Sequence, residues 1–109
     1  MTKNGLTIPI VMPQGTEQYE EDLKLFIHEM LAKLWKHRDK GHWEDIDIPT
    51  ALRRMREEID ELEEAIKNND YAEIHQEAAD VANFALILSS VLRRKSRNDQ
   101  LSLFFEDIP

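Results

Sequence analysis

The residues with the most chemistry in them lie between Glu57 and Asp80, where the chain reads EEIDELEEAIKNNDYAEIHQEAAD. It holds two acidic clusters, Glu57-Glu58-x-x-Glu61 and Glu77-x-x-Asp80, on either side of the polar stretch Asn68-Asn69-Asp70. Residues three apart on a helix share a face, so Glu58 projects with Glu61, and Glu77 with Asp80. If the chain folds back near residue 69, positions whose numbers add to 138 lie level, pairing Glu61 with Glu77 and Glu58 with Asp80. At about 1.5 Å rise per residue, these four carboxylates would meet roughly 12 Å from the turn. Four like charges at one level are costly unless a cation sits among them. Hard carboxylate oxygens, with no cysteine and no paired histidine nearby, suit Mg²⁺ or Mn²⁺ better than zinc. The competing reading is a solvated Glu-rich face, and Glu63 and Glu64, elsewhere on the helical wheel, are assigned to it.

Three helices must position these groups. Thr16 is the expected N-cap of the first, followed by Glu17, Glu20, Glu21 and Asp22, the acidic first turn that the helix dipole favours. Leu23, Phe26, Ile27, Met30, Leu31 and Leu34 then form one helical stripe, predicting a helix over 17–37 with a basic end before Gly41. The second helix is expected over 50–67, with Pro49 at or just before its start and a core stripe at Leu52, Met55, Ile59, Leu62 and Ile66. The third, over 71–95, carries Ile74, Ala78, Val81, Ala85, Leu88 and Leu92 and is apolar on most sides from Val81 onward. Such a helix is buried on more than one face, which one layer of helices cannot do. The expected fold is therefore all-α, an antiparallel bundle of three main helices per subunit completed as a homodimer or homotetramer. Residues 1–95 would form one domain with an apolar, Pro- and Gly-containing N-terminal arm that could lie over the core. Residues 96–109 would form a tail.

Composition narrows the function. A net charge of −8 over 109 residues argues against bulk attraction to nucleic acid or an anionic membrane. The absence of cysteine removes disulfides and thiol catalysis. The first residues do not read as a signal peptide and no long apolar run occurs, so a cytoplasmic protein is the expectation.

Two further groups bear on the acidic clusters. Lys36-His37-Arg38-Asp39-Lys40-Gly41-His42-Trp43 reads either as a helix end with dipole-matched charge or as a binding loop. In the second reading Lys36 and Lys40 meet phosphates while His37 or Trp43 lies against a base. Asn83, one turn after Asp80, would make either a structural hydrogen bond or a sugar or base contact. Arg54 is expected as an i,i+4 partner of Glu58, and His75 as a surface residue.

The spacing of the acidic clusters resembles the EExxE…ExxD signature of the all-α nucleoside triphosphate pyrophosphohydrolases, the MazG-like superfamily. The likeness spans roughly residues 20–92 and includes the run from Asp80-Val-Ala-Asn83 into an apolar segment. An H-x-x-K-G-x-W loop like that at His37 to Trp43 occurs in some members, phage-type ones included. The resemblance implies Mg²⁺-dependent hydrolysis of a (d)NTP to (d)NMP and pyrophosphate by an oligomer of helical subunits, a nucleotide-pool house-cleaning role. It implies Glu58, Glu61, Glu77 and Asp80 as metal ligands, with Glu57 holding a second metal or orienting the attacking water. Another pyrophosphate-releasing reaction of the superfamily, phosphoribosyl-ATP hydrolysis, stays open. In the tail, Gln100-Leu101-Ser102-Leu103-Phe104 resembles the peptide by which bacterial replication proteins dock on the sliding clamp. The alternative to an enzyme is thus a non-catalytic helical adaptor that binds a clamp through Gln100, Leu101, Leu103 and Phe104. The bland reading of the tail is apolar side chains folded back over the helices.

Overall fold

The computed structural model describes residues 5–40 and 45–97, with the backbone alone for 96 and 97. It is all-α. A 3₁₀ turn at Glu17–Tyr19 leads into α1 (Glu20–Lys36), followed by α2 (Ile48–Lys67) and α3 (Tyr71–Arg97). Among the described residues there is no strand, and no helix is long and apolar enough to cross a membrane.

The helix ends differ from the sequence reading in small ways with clear causes. Thr16 does not cap α1 through its side chain: its hydroxyl donates instead to the Pro13 carbonyl at 2.7 Å. A 3₁₀ turn therefore intervenes before α1 begins at Glu20. The other end agrees to one residue: α1 stops at Lys36, and just beyond it the Arg38 guanidinium donates to the Trp35 carbonyl at 2.7 Å and stacks 3.8 Å from the Trp35 ring. Asp47 caps α2, its carboxylate accepting from the Thr50 N–H at 2.8 Å, and Pro49 sits in the first turn. The Thr50 hydroxyl first, and then this backbone N–H, hold the Asp47 carboxyl below its usual range.

The α2–α3 turn sets the register of the hairpin. Asn69 stands in the left-handed region at φ 55°, its N–H bonds the Ile66 carbonyl, and the Asp70 N–H bonds the Ala65 carbonyl. This is the Schellman pattern with asparagine in the usual place of glycine. Asp70 then starts α3 by accepting from the Glu73 N–H at 3.2 Å. The pivot at residue 69 brings α2 and α3 together antiparallel over their length.

Both α1 and α2 pack on α3, and their backbones do not meet each other. The three helices thus form an open layer with α3 in the middle. Ala51 and Ala65, two turns either side of Glu58, are buried against α3, where Ala79 is also buried. Small side chains at these points let the helix axes approach. The expected core stripes are correspondingly open. Leu52, Ile59 and Ile66 on α2 are 37%, 44% and 53% exposed, and Leu23, Ile27 and Leu31 on α1 are exposed too. The N-terminal arm does not cover them: Leu6, Ile8, Ile10 and Val11 lie in solvent, and only Met12 is half-buried, beside Tyr19, Leu23 and Phe26.

Candidate active site

The hairpin register places Glu58 of α2 beside Glu77 and Asp80 of α3, with one carboxylate oxygen from each within 4.8 Å of the others. Glu77 is buried, whereas Glu58 and Asp80 are half-buried. Glu61 stands outside this trio and is exposed, yet its charge acts on both glutamates. Glu57 is turned to the open face, 3.9 Å from Arg53. The wheel explains the split, because Glu58 shares the buried row of Ala51 and Ala65 while Glu57 precedes it by 100°.

Crowding raises the proton affinity of the two glutamates. Burial first, then the neighbouring charges of Glu61, Glu58 and Asp80, push the Glu77 carboxyl up to about 7. Burial and the charges of Asp80 and Glu61 push Glu58 up as well. The buried Oε2 of Glu58 has no hydrogen-bond partner. A buried carboxylate oxygen left unpaired beside two more carboxylates is the donor set of a hard divalent cation, and the residues fit one.

Beside the trio lies a cleft of about 870 Å³, lined by residues from all three helices and the α1–α2 connection. Its polar wall includes Lys33, His37, Arg38, Lys40 and Arg54 along with Glu58, Asp80 and Asn83, and its apolar wall includes Leu34, Ile46, Phe84 and Ile87. The size suits a small molecule and the mixed lining suits one with an anionic and an aromatic part. His37 lies at its edge with Nδ1 buried and unpartnered, and burial and the charge of Lys40 lower its pKa. Asn83 is buried. Its amide donates to the Met30 carbonyl at 3.2 Å, tying α3 to α1, while its Oδ1 is left without a partner.

Of the residues named from sequence, His37, Lys40 and Asn83 line this cleft, whereas Lys36 is exposed and does not. Trp43 lies outside the described residues, as do Gln100, Leu101, Leu103 and Phe104. Arg54 does not pair with Glu58 but stands 5.7 Å from the centre of the Phe84 ring, in the cleft. Lys33 and Phe84 were missed. Lys33 pairs with Asp80 at 3.1 Å across α1 and α3. Its signal was there to see: a lysine inside the run Met30-Leu31-Ala32-Lys33-Leu34, one turn before His37 on the same face.

The chain matches the phosphoribosyl-ATP pyrophosphohydrolase (PRA-PH) family over residues 25–93 and belongs to it, within the MazG-like all-α NTP pyrophosphohydrolase superfamily. The matched span contains the trio and the cleft residues of α1, α2 and α3. Family membership points to pyrophosphohydrolase chemistry. The chain is also 36% identical over 80 residues to an uncharacterised protein of Archaeoglobus fulgidus, an alignment covering 69% of this chain and 86% of the relative. No solved structure matches it.

Proposed function

We propose that this protein is a Mg²⁺-dependent pyrophosphohydrolase that cleaves a nucleoside triphosphate between its α- and β-phosphates, releasing the monophosphate and pyrophosphate. The observation that carries this reading is the adjacency of the Glu58–Glu77–Asp80 trio to a cleft with a cationic wall. An acidic protein would otherwise repel a triphosphate. Glu58, Glu77 and Asp80 would hold the ion, with Glu61 near enough to contribute its charge. When bound, Mg²⁺ supplies charge neutralisation at the phosphates and a more acidic water. Lys40 and Arg38 face the remaining phosphate charge, and Leu34, Ile46, Phe84 and Ile87 offer an apolar wall for the base. A role in clearing unwanted nucleotides from the pool follows from such an activity. The family match favours a second substrate for the same bond cleavage, phosphoribosyl-ATP, which is itself a nucleoside triphosphate carrying a second sugar.

The test is a panel of ribo- and deoxynucleoside triphosphates plus phosphoribosyl-ATP, assayed with Mg²⁺ for pyrophosphate against inorganic phosphate. Pyrophosphate release that disappears in Glu58→Gln and Asp80→Asn, with helical content retained, is the expected result. Normal turnover in either variant, or none on any of these nucleotides in the parent protein, would sink the reading.

A further inference from the structure

Among the described residues, Lys33–Asp80 is the ion pair that joins two helices. Its side chains keep 16% and 17% of their exposure. The other pairs, Lys24–Glu20, Arg53–Glu57 and Lys67–Glu63, each lie along one helix, with side chains at least 58% exposed. Such surface pairs contribute little, whereas a lysine ammonium drawn out of water is held only by a well-placed partner. Lys33's partner is also a corner of the carboxylate trio.

That double engagement has a consequence. Three carboxylates this close draw a cation, and among the described residues the one paired with them is the Lys33 ammonium, 3.1 Å from Asp80. With Glu58, Glu77 and Asp80 holding a divalent ion, Asp80 would be neutralised by it and would hold Lys33 less firmly. The released ammonium already lies in the cleft wall, beside Leu34 and His37. Lys33 would then be free to meet a substrate phosphate entering that cleft.

We propose that Lys33 couples the two halves of the site: it occupies Asp80 in competition with the metal, and turns to the substrate's phosphate once the metal is bound. This rests on the reading of the trio as a metal site. Lys33 therefore opposes metal binding while promoting phosphate binding, and its removal must move the two affinities in opposite directions. A merely structural lysine would weaken both or neither.

Mn²⁺ alone, followed by its paramagnetic resonance signal, and pyrophosphate added to the Mn²⁺-loaded protein, followed by calorimetry, separate the cases. Lys33→Met should bind Mn²⁺ roughly threefold to tenfold more tightly, as expected for loss of a competing ion pair. The same variant should bind pyrophosphate about tenfold more weakly, through loss of a charged hydrogen bond. Lys33→Gln repeats the measurement with a polar side chain should the methionine variant fold poorly, and Lys33→Arg should stay close to the parent protein. If the parent binds Mn²⁺ but Lys33→Met leaves that affinity unchanged or weaker, or leaves pyrophosphate binding intact, this coupling is wrong while the metal site stands. A parent protein that binds no Mn²⁺ overturns both.

Discussion

Glu58 of α2 and Glu77 of α3 face each other across the hairpin, with carboxylate oxygens within 4.8 Å of one another and of Asp80. The two cannot both ionise without strain, and Glu77 carries most of it, its pKa pushed from the ordinary 4.5 to about 7. The folded chain holds this proton more tightly than the unfolded chain does. By linkage, stability is therefore lost as pH rises from about 4.5 to about 7 and the loss is complete above that window. Each pH unit is worth at most ~1.4 kcal/mol from one group. The metal-free protein should melt several degrees higher at pH 5.5 than at pH 8. Mg²⁺ or Mn²⁺ should raise the melting temperature more at pH 8, where protons compete less for Glu77. Thermal denaturation with and without the cation at the two pH values checks this. A metal-free melting temperature that is flat or rises with pH contradicts it.

The same crowding predicts a trade between stability and activity at Glu77. A glutamine there keeps the shape and removes one buried negative charge. Glu77→Gln should raise the melting temperature of the metal-free protein at pH 8 and remove most of its response to divalent cation. Turnover should fall on the order of 100-fold or more, the scale seen when one preorganised electrostatic group is lost. A variant that is both less stable and still active would show that Glu77 is a structural acid.

Asn69 tests the turn that sets the register. A non-glycine residue in the left-handed region costs about 1–2 kcal/mol unless, like asparagine, its side chain tolerates it. Asn69→Gly should leave stability unchanged or slightly higher. Asn69→Val should lower it by roughly that amount, read as a reduced denaturant midpoint with an unchanged slope. Equal stabilities for the two variants would mean the register is set elsewhere.

Much of this architecture is legible in the sequence because it is local. The Asn68-Asn69-Asp70 turn, the helical period and the pairing of Glu58 with Asp80 all follow from spacing along two adjacent helices. What escaped depends on tertiary placement. Glu61 shares a helix face with Glu58, yet it is exposed where Glu58 is half-buried and it stands outside the trio. Lys33 stands out in its apolar run, but its partner Asp80 lies far along the chain and meets it only where α1 packs on α3. Arg54 likewise had two neighbours to choose from, and Phe84 lies on another helix. The apolar stripes of α1 and α2 read as core because periodicity reports amphipathicity, not what covers the face.

Asn83 separates a structural role from a binding one. Its amide bridges α3 to the Met30 carbonyl, so Asn83→Ala removes a part-buried hydrogen bond between two helices at a cost of about 0.5–1.5 kcal/mol. The melting temperature should fall accordingly, by roughly 4–8 °C per kcal/mol in a chain of this size. If the unpartnered Oδ1 also contacts substrate, KM should rise beyond what the loss of folded protein explains. Measuring KM well below the variant's melting temperature isolates that part, and an unchanged KM assigns Asn83 to the scaffold alone.

The exposed stripe of α2 bears on assembly. Leu52, Ile59 and Ile66 recur every seven residues, one step round from the Ala51–Glu58–Ala65 row that packs on α3. Met55 and Leu62, half-buried between them, complete a heptad seam open along one side. Among the described residues no large side chain is fully buried, so the layer of three helices leaves most of its apolar surface for a partner. A second copy of the chain offers the same seam by symmetry. The full chain should run as a dimer or tetramer by light scattering, and Ile59→Glu, which puts a charge in the middle of the seam, should shift it toward monomer. The variant should also lose stability in a concentration-dependent way, since folding and assembly are linked. A parent protein at monomer mass over the micromolar range removes the seam as an interface, and an unchanged oligomer in Ile59→Glu moves the interface to the open face of α1 at Leu23, Ile27 and Leu31.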